Sequence, residues 1–452
     1  MKIAYLTAGA AGMLCGSCLH DNTLAAALIA QGHDALLIPT YTPIRTDEPD
    51  VSQRRVFFGG INVFLQQKSS FFRKTPWFLD RLFDWPRLLR WVSRFAVSTR
   101  AEELGDLTLS MLRGEQGHQR KEIDKLVRWL VEEVRPEIVV LTNVLLSGIV
   151  PRLRQELGVP TVGMLQGDDI FLEALPDRAR VLAKVLIREN CATLSGFIAT
   201  SRYYADFMAG YLKLARERIE VVYPGINLNG HGGATAASTS RPFTIGYFAR
   251  ICPEKGLHII VEAYRLLRQM PGTPPTRLRV SGWLGENHRA YLEEQKHLLA
   301  AADLLADFEH VEAPDHAGKV RFLQECDVLS VPTVYREPKG LYILEAWANG
   351  VPVVQPRHGS FPELIEATGG GVLINPEDPL DLAQALRRLV DQPEAARELG
   401  RRGRDAVQSR FHAAAMALET LKILEKHLDH TDAEAQRMPQ GKQENWATDQ
   451  HG

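Results

Sequence analysis

The chain has 452 residues, 45% of them hydrophobic and 24% charged, with a formal net charge of −2. This length predicts two domains of ordinary globular composition, and the near-neutral balance excludes a whole-protein field for nucleic acid. No apolar run reaches the ~18 residues a membrane span needs.

In chain order, Ile3–Thr7 reads as a strand, which together with the lone Lys2 argues against a secretion signal at the N-terminus. Leu19–Gln31 reads as a helix ended by Gly32, and Ala35–Pro39 as a second strand. Ser69–Phe95 is dense in aromatics and arginine. It reads as two helices capping the N-domain cleft, because Pro76 and Pro86 break any single interfacial helix. A peripheral membrane contact is the alternative. Further strands are expected at Ile138–Leu141, Thr161–Leu165, Phe197–Thr200 and Ile219–Val222. Asn229–Arg241, rich in Gly, Ala, Ser and Thr, is a linker. A second series follows at Phe243–Phe248, Leu278–Val280, His310–Glu312, Val328–Val331, Val351–Val354 and Val372–Ile374, then an amphipathic helical stretch from Pro393 to His427. Strands spaced by helices predict an α/β protein with two Rossmann-like parallel-sheet domains facing a central cleft. The expected division is 1–228, a linker 229–241, a second domain 242–408, a terminal helix 409–429 and a disordered polar tail 430–452. Five scattered cysteines (Cys15, Cys18, Cys191, Cys252 and Cys326) fit a reduced cytoplasm.

The strongest chemical signal is Tyr335–Gly350 (YREPKGLYILEAWANG). A strand feeds a loop carrying Glu337, and a helix starting near Gly340 carries Glu345 within its first two turns. Seven residues separate the two carboxylates, so both can face the crevice at the carboxyl end of the sheet. Ionised carboxylates suit sugar hydroxyls, and the N–H groups of Gly340 and Leu341 at a helix start suit a diphosphate. A second constellation, Phe248–Leu257 (FARICPEKGL), puts Arg250 and Lys255 after the first strand of the second domain. Two cations there would stabilise charge on a departing nucleoside diphosphate.

With these motifs the chain resembles the family 4 glycosyltransferases, retaining enzymes of the GT-B fold. The resemblance implies that Glu345 holds the donor ribose, Glu337 the transferred sugar, and Arg250 and Lys255 the diphosphate. It implies that Gly16 and Ser17 face the phosphates from the N-domain, with His20 on the helix that follows, and that the terminal helix returns to brace that domain. No metal or cofactor is required; the donor is a nucleoside-diphosphate sugar, UDP-linked before others, and the acceptor a hydroxyl on a sugar or a lipid-linked sugar. A cytoplasmic enzyme is expected, with peripheral contact to the inner membrane face through Ser69–Phe95 as an option.

Three departures stand out. Cys15 replaces a glycine in the first turn; Lys339 stands where an aromatic or apolar residue is usual; and Gln166 stands where many relatives carry His. Glutamine hydrogen-bonds but cannot titrate. Gln166 and Asp168 are candidates to orient sugar or acceptor, together with Asn143, while helix capping is the alternative for Asp168 and Asp169. Cys15-x-x-Cys18 has no second pair to complete a zinc site, so a packing role is expected. An inactive nucleotide-sugar-binding scaffold, or an epimerase on the same fold, are the competing readings.

Overall fold

The computed structural model describes residues 1–9, 16–54, 56–57, 101–232, 241–313 and 315–437. Cys15, the aromatic segment Ser69–Phe95, most of the expected linker and residues 438–452 lie outside the described residues.

Two six-stranded sheets organise the chain. The first holds β1 (Lys2–Thr7), β2 (Asp34–Pro39), β3 (Ile138–Leu141), β4 (Thr161–Leu165), β5 (Gly196–Ala199) and β6 (Ile219–Val221), in the order β2-β1-β3-β4-β5-β6. The second holds β7 (Phe243–Phe248), β8 (Thr276–Ser281), β9 (Phe308–Val311), β10 (Val328–Leu329), β11 (Val353–Pro356) and β12 (Gly371–Ile374), in the order β12-β11-β10-β7-β8-β9. Every pairing described is parallel. Helices cover both faces, so strands such as Ile138–Leu141 are buried along their whole length and read as continuous apolar runs.

Some strand ends differ from the sequence expectation. β10 stops at Leu329, and β11 begins only at Val353, after Pro352, which has no N–H to give to a ladder. Strand order reverses between β1 and β3 in the first sheet and between β7 and β10 in the second. Loops leaving these strands splay apart and open a crevice, the place where open parallel sheets take ligands.

The helix Ala413–Arg437 packs on the first sheet, not the second. Met416, Ala417, Leu421 and Leu424 join Ile3, Cys18, Leu24 and Leu28 in one buried cluster. Gln31 Nε2 donates to the carbonyl of Ala414 at 2.9 Å, and Lys426 pairs with Glu220 at 2.8 Å. This helix runs to Arg437, beyond the expected end near residue 429, because Asp432–Gln436 carries Ala and Glu, which favour helix. No helix among the described residues is long and apolar enough to cross a membrane.

Candidate active site

The switch-point loops of both sheets line one cleft of about 870 Å³. Gly16, Asp47, Arg250, Lys255, Trp283, Lys319, Leu341 and Glu345 are among its walls, so the N-terminal and C-terminal halves both contribute.

Glu337 is built into its loop from the backbone up. Its carbonyl accepts from the Ser360 N–H at 2.8 Å. A side chain on Gly359 (φ 60°) would lie 2.5 Å from that same oxygen, so only glycine allows the approach. The carbonyl of Pro338, next in the chain, accepts from the hydroxyls of Thr200 (3.1 Å) and Ser201 (2.9 Å), which belong to the other half. Lys255 arrives on a short turn after β7. It is closed by Gly256 (φ 74°), where a Cβ would sit 1.9 Å from the Pro332 carbonyl in the loop after β10. The two loops are thereby fastened to each other, and Lys255 Nζ reaches Glu337 Oε2 at 2.7 Å. The hydroxyls of Tyr335 and Tyr342 donate to the same oxygen at 2.7 and 3.3 Å, and Lys255 also meets the Tyr335 hydroxyl. Burial would raise the Glu337 pKa; the Lys255 charge, the hydrogen bonds from Lys255 and Tyr335, and the field of Lys339 override it and bring it to about 2. Burial and the Glu337 charge hold both phenols well above their ordinary range, so they remain donors.

Glu345 follows on the helix Leu341–Ala348, which starts after Gly340 (φ 67°). Its Oε1 accepts from Lys319 Nζ at 2.7 Å, and Lys319 also holds Asp47 Oδ2, from the N-terminal half, at 2.5 Å. Burial raises the Glu345 pKa; Lys319 only partly offsets this, and the Asp47 charge adds to it. The two carboxylates hold the Lys319 ammonium well above its usual range despite burial.

On the opposite wall, Gly16 and Ser17 open the helix Gly16–Ala30. Gly16 faces Leu341 closely enough that an added Cβ would be 3.7 Å from its Cδ1. Gln166 is buried and its amide is oriented. Nε2 donates to Asp21 Oδ1 (2.9 Å) and to the Thr142 carbonyl (2.9 Å), while Oε1 accepts from Lys339 Nζ (3.1 Å). Asp21, fully buried, also accepts from Tyr5 (2.9 Å) and Thr7 (2.8 Å).

Two family models match parts of the chain. The model described as "Glycosyl transferases group 1" matches residues 235–406, and that described as "Glycosyltransferase Family 4" matches residues 108–229. The chain belongs to the family 4 glycosyltransferases. Among relatives, it is 27% identical over 297 residues to a glycogen synthase of Mycobacterium tuberculosis (strain CDC 1551 / Oshkosh), covering 64% of this chain and 68% of that one. It is 27% identical over 338 residues to a D-inositol 3-phosphate glycosyltransferase of Pseudarthrobacter chlorophenolicus, covering 69% and 79%. Its fold is similar to sucrose-phosphate synthase from Thermosynechococcus elongatus (TM-score 0.68, 18% identity, 94% of this chain and 99% of that one). It is also similar to Anabaena HepE in complex with UDP and glucose (TM-score 0.64, 17% identity, 94% and 100%). The fold is GT-B and the enzyme is a glycosyl-transferring transferase. The two curated relatives are named a glycogen synthase and a glycosyltransferase, neither an epimerase nor an inactive scaffold, which leaves those readings without support.

Most expected site residues of this glycosyltransferase converge on the cleft: Glu337, Glu345, Arg250, Lys255, Leu341, Gly16 and Ser17 lie on or against its walls. Two do not face it. Asp168 turns inward, accepting from the backbone N–H groups of Val144 (2.8 Å) and Gln166 (2.9 Å). Burial raises its pKa to about 6 although these bonds oppose the shift. Both carboxylate oxygens accept from backbone donors, so the side chain braces the loop. His20 is buried against Asp21, its Nδ1 3.5 Å from Oδ1, and burial lowers its pKa. It does not line the cleft, although the Lys339 charge lies close enough to lower its pKa further. Asp169 accepts from Tyr204 at 2.6 Å. His358 Nε2 contacts the Thr333 carbonyl at 2.9 Å, while its buried Nδ1 has no hydrogen-bond partner among the described residues. Cys18 is a buried thiol in the first-sheet core.

Sequence reasoning missed Lys319, Asp47, Asp21 and the two tyrosines. Tyr335 and Tyr342 stand on either side of Glu337 in the motif and could have been read as its donors. Lys319 and Asp47 carry no motif, and only the fold brings them together.

Proposed function

We propose that the enzyme moves a hexosyl or N-acetylhexosaminyl group from a UDP-sugar to a hydroxyl of a sugar or lipid-linked acceptor, with retention at the anomeric carbon. The observation that carries this reading is the joint presence on one cleft of Glu345, Arg250 and Lys255, with Glu337 paired to Lys255, beside two facing helix starts. Residues 242–408 act as the donor domain and 1–228 as the acceptor domain, joined by 229–241. Glu345 takes the ribose once Lys319 yields one of its hydrogen bonds, and Glu337 holds the transferred sugar as an ionised acceptor. Arg250, exposed at the mouth, and Lys255 face the diphosphate, with the N–H groups of Gly340 and Leu341 behind it. As the bond to the diphosphate lengthens, the sugar becomes oxocarbenium-like, and the acceptor hydroxyl attacks from the leaving-group face, passing its proton to the departing phosphate. Closing both halves over the donor keeps water from taking the acceptor's place. Gln166, oriented but unable to titrate, is compatible with a mechanism that needs no side-chain base there. HepE, which shares the fold, is known in complex with UDP and glucose, and this favours uracil over other bases.

The test is thermal unfolding with UDP, GDP, ADP and their sugars, for wild type and Glu345→Ala. The expected result is a UDP-dependent rise in melting temperature that shrinks in the variant; one hundred times Kd corresponds to about 2.7 kcal/mol. No shift with any nucleotide at millimolar concentration would overturn the donor-site assignment.

A further inference from the structure

Lys339 sits between Pro338 and Gly340 on the loop that carries Glu337. Its backbone belongs to the C-terminal half, but its side chain reaches residues of the N-terminal half. Nζ donates to Ser17 Oγ at 2.8 Å and to Gln166 Oε1 at 3.1 Å, and the residue is only 6% exposed. Both acceptors are held in place. Gln166 is fixed from behind by Asp21 and Thr142, which turns its carbonyl oxygen toward the lysine. Ser17 lies in the first turn of the 15-residue helix Gly16–Ala30.

That location has a definite electrostatic character. The N-terminal end of a helix carries partial positive charge. Gly16 and Leu341, at the starts of two helices, face each other across the cleft at this point. The protein thus brings an ammonium group to a place where two helix starts already concentrate positive potential. Such a focus suits an anion between the two walls. Beside Ser17 and Gln166 the ammonium also acts on the Glu337 charge, and a phosphate or carboxylate oxygen of a donor can join the oxygens that it meets here. On the donor-site reading above, its neighbours Gln166 and Glu337 lie where the sugar joins the diphosphate.

We propose that Lys339 grips an anionic oxygen of the donor at the bond that breaks, and so acts as a catalytic residue in addition to Arg250 and Lys255. That oxygen belongs either to the β-phosphoryl group or to a carboxylate on the transferred sugar. The proposal rests on the donor-site reading above. Bound this way, the ammonium stabilises the charge that accumulates on the leaving diphosphate, or fixes an acidic sugar in register with Glu337.

The experiment compares affinities for UMP, UDP, UDP-glucose and UDP-glucuronate in wild type, Lys339→Gln and Lys339→Arg, by calorimetric titration of the full chain. Guanosine or adenosine series replace uridine if the wild type prefers them. UMP lacks the oxygen in question, so it reports folding and cleft closure. With a β-phosphoryl contact, Lys339→Gln leaves UMP within about twofold and weakens UDP and both sugars roughly ten- to hundredfold, and Lys339→Arg restores part of the loss. With a carboxylate contact, only UDP-glucuronate weakens. Equal loss for all four ligands, UMP included, would show a purely structural tie between the halves and overturn the proposal, as would no change in any. A Lys339→Gln chain that fails to fold is replaced by Lys339→Met with the same ladder. Wild type that binds none of the ligands removes the donor-site reading and this proposal together; wild type that binds them all, with an unchanged ladder in the variants, removes this proposal alone.

Discussion

Glu337 and Glu345 share one loop and helix, both are buried, and each has a lysine ammonium at 2.7 Å. Yet the first is held at a pKa of about 2 and the second is raised above the ordinary range. The difference lies in where their partners come from. Glu337 is surrounded by Lys255, Tyr335, Tyr342 and Lys339, all from the C-terminal half. Its charge is set before the two halves meet. Glu345 has one lysine, shared with Asp47 of the N-terminal half, so its state depends on closure. A carboxylate meant to meet a sugar whenever it arrives can be preset. A carboxylate whose lysine is engaged elsewhere can be released when a nucleotide enters.

The largest break in this comparison is expected at the preset end. Lys255→Met leaves the Glu337 charge buried without its main counter-charge, a loss of about 3–5 kcal/mol for a pair this deep. At ~2–4 °C per kcal/mol for a domain of this size, melting should fall by on the order of 10 °C. Differential scanning calorimetry near pH 7.5 checks it; a fall of only a degree or two would mean that the tyrosines and Lys339 alone carry Glu337.

How far this contrast was readable in the sequence differs between the two ends. The strand runs, the parallel sheets and the Glu337–Glu345 spacing are local patterns, and they were legible because βαβ units repeat them with a fixed period. Arg250 and Lys255 were legible as groups after a first strand, although the pairing of Lys255 with Glu337 was not. Lys319 lies on the helix His316–Gln324, whose sequence looks like any amphipathic surface helix. Asp47 lies in a loop after β2 with no chemical signature. Their meeting depends on how the two halves stack, which no local pattern encodes. Asp168 shows the converse: an acidic pair after a strand is visible in the sequence, while its contacts with the backbone N–H groups of Val144 and Gln166 are not.

A middle-sized effect is expected at the closure-dependent end, and it should depend on pH. Lys319→Met leaves Glu345 and Asp47 facing each other, and Glu345, already raised, can take up a proton. A carboxyl whose folded pKa lies above its unfolded value, about 4.3 for Glu, binds the proton more tightly when folded. Stability is therefore lost as pH rises through the window between those two values. The cost of Lys319→Met should thus be larger at pH 8 than at pH 5, by roughly 1.4 kcal/mol for each further unit of Glu345 shift. Lys255→Met should change less over that range, because Tyr335, Tyr342 and Lys339 still favour the ionised form of Glu337. Urea unfolding at pH 5, 6, 7 and 8 separates the two variants, and equal slopes would erase the distinction drawn between the two carboxylates.

The smallest effect, and the sharpest for the role of closure, is expected from Asp47→Asn. The change removes one of the two anions on Lys319 and, at the same time, the charge that pushes Glu345 upward. The losses and gains oppose each other, so the net change in stability at pH 7 should stay within about 1 kcal/mol. The pH slope is the better reading. Combined with Lys319→Met, Asp47→Asn should flatten the slope, because Glu345 then loses its nearest repelling charge and keeps only the penalty of burial. If the slope of the double variant equals that of Lys319→Met alone, the raised state of Glu345 originates within the C-terminal half, and the N-terminal half does not set it by closing.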